Sequence, residues 1–96
     1  MKKYVRLRNL REDSDLTQRD IGNALKITQR AYAYYESGER MIPLPMLEEL
    51  AELYDVSVDY ILGRTDDKRT PGRAPQTTNV KQRISKLNDH DLHKSE

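Results

Sequence analysis

Apolar residues fall at helical spacing along the first two thirds of the chain. No run shows sustained two-residue alternation, so the pattern predicts helices and no sheet. Residues 4–13 place Leu7 and Leu10 three apart. Thr17 then reads as an N-cap, with Asp20 three positions on to close a capping box. The helix it starts turns Ile21, Ala24 and Leu25 inward and stops near Lys26, because Thr28 reads as the next N-cap. A third helix over 29–37 ends at Gly38, which suits a left-handed position after the last turn. Pro43 and Pro45 break the chain, and Pro45 fits the first turn of a fourth helix. Met46, Leu47, Leu50, Ala51, Leu53 and Tyr54 make the apolar face of that helix. Ser57 caps a short fifth helix over 58–62, closed by Gly63.

The pattern changes after residue 63. Between Arg64 and Asn79 the only apolar residue is Ala74, set among prolines, a glycine and threonines. Such a stretch buries too little to fold and predicts a flexible linker over 64–79. Val80, Ile84 and Leu87 then stand at i, i+4 and i+7, one short apolar stripe. The expected organisation is therefore an all-α domain over 1–63, the linker, and a short helical segment over 80–96 that serves association.

Composition removes several chemistries. The 96 residues include no Cys, so disulfides, thiolate metal sites and cysteine nucleophiles are excluded. No stretch approaches the ~20 apolar residues of a membrane span, and residues 1–11 do not form a signal peptide. A cytoplasmic, nucleoid-associated protein is expected. The two histidines, His90 and His93, stand three apart near the end, and two ligands do not make a closed metal site. Neither a catalytic set nor a cofactor motif is evident, and the expectation is a non-enzyme with no metal and no cofactor. Net charge is only +1, but it is unevenly spread. Residues 1–40 carry nine Lys/Arg against six Asp/Glu, while residues 41–63 carry five acids and no base. A polarised domain of this kind can offer a positive face to phosphates.

Two short helices separated by Lys26, Ile27 and Thr28 leave one face of the second helix free. Gly22 falls where the two would approach most closely. Here the chain resembles the lambda-repressor/Cro-like (XRE-type) helix-turn-helix regulators. The resemblance rests on Leu10-Arg11, Leu16-Thr17-Gln18-Arg19-Asp20-Ile21-Gly22, Tyr35-Glu36-Ser37-Gly38, Pro43, and Val56-Ser57-Val58-Asp59-Tyr60-Ile61-Leu62-Gly63. It covers residues 4–63. Three positions depart from the family pattern: Gly22 replaces the usual Ala, Lys26 stands where Gly is common, and Leu44 stands where Ser or Thr often caps the fourth helix.

The resemblance implies a compact five-helix fold with the third helix as recognition helix. Its outward positions, Gln29, Arg30, Ala33 and Tyr34, are then the candidate base contacts. Arginine can fork onto guanine O6 and N7, glutamine can pair with adenine, and a small apolar side chain can touch a thymine methyl. Gln18, Lys26, Thr28 and Arg40 are the candidate phosphate contacts, together with backbone amides near Met41. Arg11 and Glu36 are expected to form a structural ion pair, and Tyr32 and Tyr35 to face the core.

These readings point to a sequence-specific double-stranded DNA-binding repressor that reads the major groove of a palindromic operator as a homodimer. The alternative is an antitoxin or other interaction adaptor that meets a protein partner through its C-terminal segment.

Overall fold

The computed structural model describes residues 4–72 and 74–85. Five helices follow in order: α1 (Val5–Asp13), α2 (Gln18–Leu25), α3 (Gln29–Ser37), α4 (Leu44–Tyr54) and α5 (Val58–Ile61). Residues 80–85 are also helical and are called α6. No strand occurs among the described residues. The all-α, lambda-repressor-like fold expected from the sequence is the one observed.

The start signals act as their chemistry requires. The Thr17 hydroxyl accepts from the Asp20 amide at 3.1 Å, and the Asp20 carboxylate accepts from the Thr17 amide at 2.9 Å. Thr28 and Ser57 cap α3 and α5 in the same way, accepting from the amides of Ala31 and Tyr60. Each bond satisfies a donor that the first helical turn cannot pair internally. The start of α4 differs: its N-cap is Pro43, with no side-chain cap, and Leu44 is the first helical residue. Pro45 then sits in the first turn, where its missing amide hydrogen costs nothing.

Three of the helices, α2, α3 and α4, stop at a left-handed residue. Gly38 ends α3 at φ +86° without steric cost. Lys26 ends α2 at φ +62°, and Asp55 ends α4 at φ +56°. Aspartate tolerates this region through its short polar side chain, but for Lys26 the conformation costs about 1 kcal/mol.

Each of the five helices sends one side chain fully inside: Leu7, Ile21, Tyr32, Leu50 and Ile61. Such a residue contributes about 1.5–3 kcal/mol by leaving water. Ala24, Leu47, Ala51, Leu53 and Tyr54 close around them, and Leu10, Leu25, Tyr35 and Met46 lie at the margin. The Tyr4 hydroxyl, itself buried, accepts from the Ile42 amide at 3.0 Å and ties the start of α1 to the α3–α4 loop.

The described residues of 64–79, a stretch expected to be a flexible linker, are irregular, but several of them are bonded to the helices. These contacts are polar, which is why a count of apolar residues overlooks them. The Ser57 amide donates to the Lys68 carbonyl at 2.8 Å. The Gln76 amide donates to the Asp55 carboxylate at 2.9 Å, and the Gln76 side chain donates to the Glu52 carbonyl at 2.8 Å. The Arg6 guanidinium stacks on the Tyr60 ring at 4.2 Å and donates to the Thr65 carbonyl and to Asp66. In α6, Arg83 donates to the Leu53 carbonyl at 2.7 Å, and Ile84 is buried with the core. Arg83 thus takes a carbonyl in the last turn of α4, where intrahelical donors run out, and Gln76 adds a second donor to the Glu52 carbonyl, which already accepts from the Asp55 amide at 3.2 Å. The helical body therefore runs past residue 63 to Ile84. Leu87, His90, His93 and the rest of 86–96 lie outside the described residues.

Candidate nucleic-acid interface

α2 and α3 meet at Gly22. A Cβ built there would lie 3.1 Å from the Ile27 carbonyl oxygen, 3.2 Å from that of Thr28 and 3.3 Å from the Gln29 Cα. All three neighbours are backbone, so the turn can close this tightly only with glycine or a slightly displaced alanine. Ile21 and Tyr32, both buried, hold the two helices together from inside. What stays outside is the opposite side of α3.

A buried polar cluster fixes α3 to the rest of the domain. Arg11 Nε donates to Glu36 Oε2 and Arg11 Nη2 to Glu36 Oε1, both at 2.9 Å. Arg11 Nη1 donates to the Leu16 carbonyl at 2.9 Å, and Gln18 Nε2 donates to Glu36 Oε1 at 3.3 Å. The cluster therefore links α1, the α1–α2 turn, α2 and α3. Burial, the largest single influence, would raise the Glu36 pKa, but the hydrogen bonds and charge of Arg11 together with hydrogen bonds from neighbouring side chains such as Gln18 outweigh it and hold the carboxyl below its ordinary value. The bonds between Arg11 and Glu36 also raise Arg11. Burial pushes the hydroxyls of Tyr32 and Tyr54 far above the usual tyrosine range, so both stay neutral.

The outer face of α3 carries Gln29 and Arg30, both exposed, in its first turn. Ala33 and Tyr34, half-buried, follow one turn later. Thr28 stands at the helix entrance: its oxygen accepts from Ala31, which leaves the hydroxyl hydrogen to donate outward. Lys26 is exposed in the turn before it. Arg40, beyond the helix end, lies over the Tyr34 ring at 4.8 Å. The structure thus brings Lys26, Thr28, Gln29, Arg30, Tyr34 and Arg40 along one helix. Gln18 stands apart from them: one amide hydrogen is committed to Glu36, and the other remains at the first turn of α2. The acids of 41–63 are carried by α4, α5 and the turn between them. Among the described residues no His/Cys/Asp/Glu group is arranged to hold a metal ion, and no helix is long and apolar enough to cross a membrane.

Sequence reasoning did not foresee that Tyr34 would join two arginines. The i, i+4 spacing of Arg30 and Tyr34 was a signal for one contact. The return of Arg40 needed the left-handed turn at Gly38 and had no local signal.

Two short helices at a glycine-tight crossing, the second with a polar cationic outer face, define a helix-turn-helix. The chain belongs to the helix-turn-helix family of lambda-repressor/Cro-like transcriptional regulators, whose family model matches residues 7–61. It is 41% identical over 85 residues to the uncharacterized HTH-type transcriptional regulator YobD of Bacillus subtilis, covering 88% of this chain and 73% of that protein. It is 39% identical over 71 residues to the HTH-type transcriptional regulator AnsR of the same organism, covering 74% of this chain and 59% of AnsR. Similarity extends to the cryptic phage CTXphi transcriptional repressor RstR of Vibrio cholerae, 32% identical over 61 residues, with 64% and 55% covered. No solved structure matches the chain significantly.

Proposed function

We propose that this regulator represses transcription by occupying operator DNA as a homodimer, with α3 lying in the major groove. The observation that carries the reading is the exposed first turn of α3, where Gln29 and Arg30 project from a helix locked on its other side by Tyr32 and Glu36. A B-form major groove is about 12 Å wide and admits one helix. Gln29 and Arg30 have the hydrogen-bonding forks that adenine and guanine present there, and Ala33 suits a thymine methyl. Lys26, Thr28 and Arg40 flank that turn and serve phosphates, with the remaining amide hydrogen of Gln18 at the start of α2. The name of RstR, a transcriptional repressor, supports the sign of the regulation.

One such module touches too few base pairs to be selective, which is the argument for a dimer. Two copies related by a twofold axis would read half-sites about 34 Å apart. Selection of double-stranded DNA from a random library by the full chain tests this. The expected result is one enriched inverted repeat with half-sites about one helical turn apart. Recovery of unrelated sequences would overturn the reading.

A further inference from the structure

We propose that Tyr34 is a positioning residue that holds Arg30 for end-on pairing with a guanine and Arg40 for the phosphates, an inference that rests on α3 being the recognition helix. Arg30 Nε donates to the Tyr34 hydroxyl at 3.2 Å, one helical turn away. The Arg30 Cζ lies 5.9 Å from the centre of the Tyr34 ring, and the Arg40 Cζ lies 4.8 Å from it. The Arg40 amide also donates to the Tyr34 carbonyl at 3.2 Å, which fixes where the Arg40 side chain starts. One half-buried ring therefore borders two guanidinium groups on an otherwise exposed surface.

The chemistry follows from the guanidinium fork. It has five N–H donors, one on Nε and two on each Nη. With Nε committed to Tyr34, the two Nη groups remain, and they span guanine O6 and N7 end-on. The side-on mode, which needs Nε, is closed. Tyr34 accepts in this bond, so its own hydroxyl hydrogen is left to donate to a phosphate. The ring face attracts both cations, but two positive charges beside one ring repel each other until an anion arrives. Backbone phosphates supply it. A guanidinium already oriented loses less freedom on binding than one that samples every rotamer.

The test uses the full chain, the selected site and its single-base variants. Tyr34→Phe keeps the ring beneath both arginines and removes the acceptor. Preference for guanine at the Arg30 position should fall about three- to tenfold, with little change at other positions. Tyr34→Leu removes the ring as well, and should weaken every variant by a further factor of about three to ten. Arg30→Ala should flatten the profile at the guanine. If Arg30→Ala flattens it and Tyr34→Phe leaves it intact, the positioning role is overturned while α3 stands as the reading helix. If Arg30→Ala leaves it intact, both fall. The free protein gives an independent check by NMR. The Arg30 Nε–H should exchange slowly in the wild type and quickly in Tyr34→Phe; fast exchange in both overturns the proposal.

Discussion

Replacing Glu36 with glutamine removes one charge from a cluster that joins three helices. The change is isosteric, so no cavity forms, and glutamine keeps one carbonyl oxygen for Arg11. What goes is the second acceptor and the charge that balances a guanidinium only 13% exposed. Glu36 accepts two bonds from Arg11 at 2.9 Å and one from Gln18 at 3.3 Å. Breaking a buried pair by removing one partner costs about 3–5 kcal/mol. The retained acceptor and the partly open arginine place this case at the low end, about 3 kcal/mol. For a domain of this size 1 kcal/mol moves Tm by roughly 4–8 °C, so Glu36→Gln should melt about 12–24 °C below wild type at neutral pH. Arg11→Met should show a loss of similar size, and the double variant should lose less than the two combined.

The pH dependence has a definite sign. Because the folded Glu36 pKa lies below its ordinary value, its contribution is fully present above about pH 4.5 and is lost as pH falls through the folded value. Thermal melts from pH 7 to pH 3 should show a shallower acid limb for Glu36→Gln than for wild type. Asp67 is also held low, by its hydrogen bond from Arg69, but is common to both proteins and cancels in the comparison. Single variants that melt within about 2 °C of wild type, with unchanged acid limbs, would refute the assignment of this pair as the tie between α1 and α3.

Other substitutions separate the remaining contributions. Gly22→Val should destabilise by about 1–3 kcal/mol in urea unfolding, because its branched Cβ meets backbone atoms at 3.1–3.3 Å, whereas Gly22→Ala should stay within about 1 kcal/mol. Ile84→Ala should cost about 2 kcal/mol or more because the side chain is buried with the core, and a wild-type melting curve would contradict the docking of α6. Lys26→Gly should raise stability by up to about 1 kcal/mol by relieving the left-handed turn, yet weaken binding to all DNA sequences alike.

Much of the fold was legible because its signals are local. Thr17, Thr28 and Ser57 announced helix starts, Gly38 announced a stop, and the 3.6-residue spacing of the α4 side chains marked its inner face. Arg11 and Glu36 stand 25 residues apart and have no local signal; only the family resemblance joined them as an expectation. Val80 and Ile84 were visible as an apolar pair, but spacing cannot distinguish a stripe that seeks a second copy from one that covers its own α4. The attachment of 64–79 through Ser57, Asp55 and Glu52 depends on backbone groups, which every residue carries and no sequence pattern displays. For the site, helical periodicity showed which residues face outward. It did not show that Gln18 is partly committed to Glu36, or that Arg40 returns to Tyr34.

Sequence reading by α3 is the central claim, and one measurement tests it most directly. Affinities for a panel of single-base operator variants, taken at two salt concentrations, should divide the interface into two groups. Arg30→Ala should cost about 1–3 kcal/mol per half-site and relax the preference at one position, a guanine, and Gln29→Ala should relax its own. Lys26→Ala should weaken all variants equally and lower the salt slope by about one. Arg30→Ala that weakens every variant equally, with the preference profile intact, would make Arg30 a phosphate contact and contradict the placement of α3 in the groove.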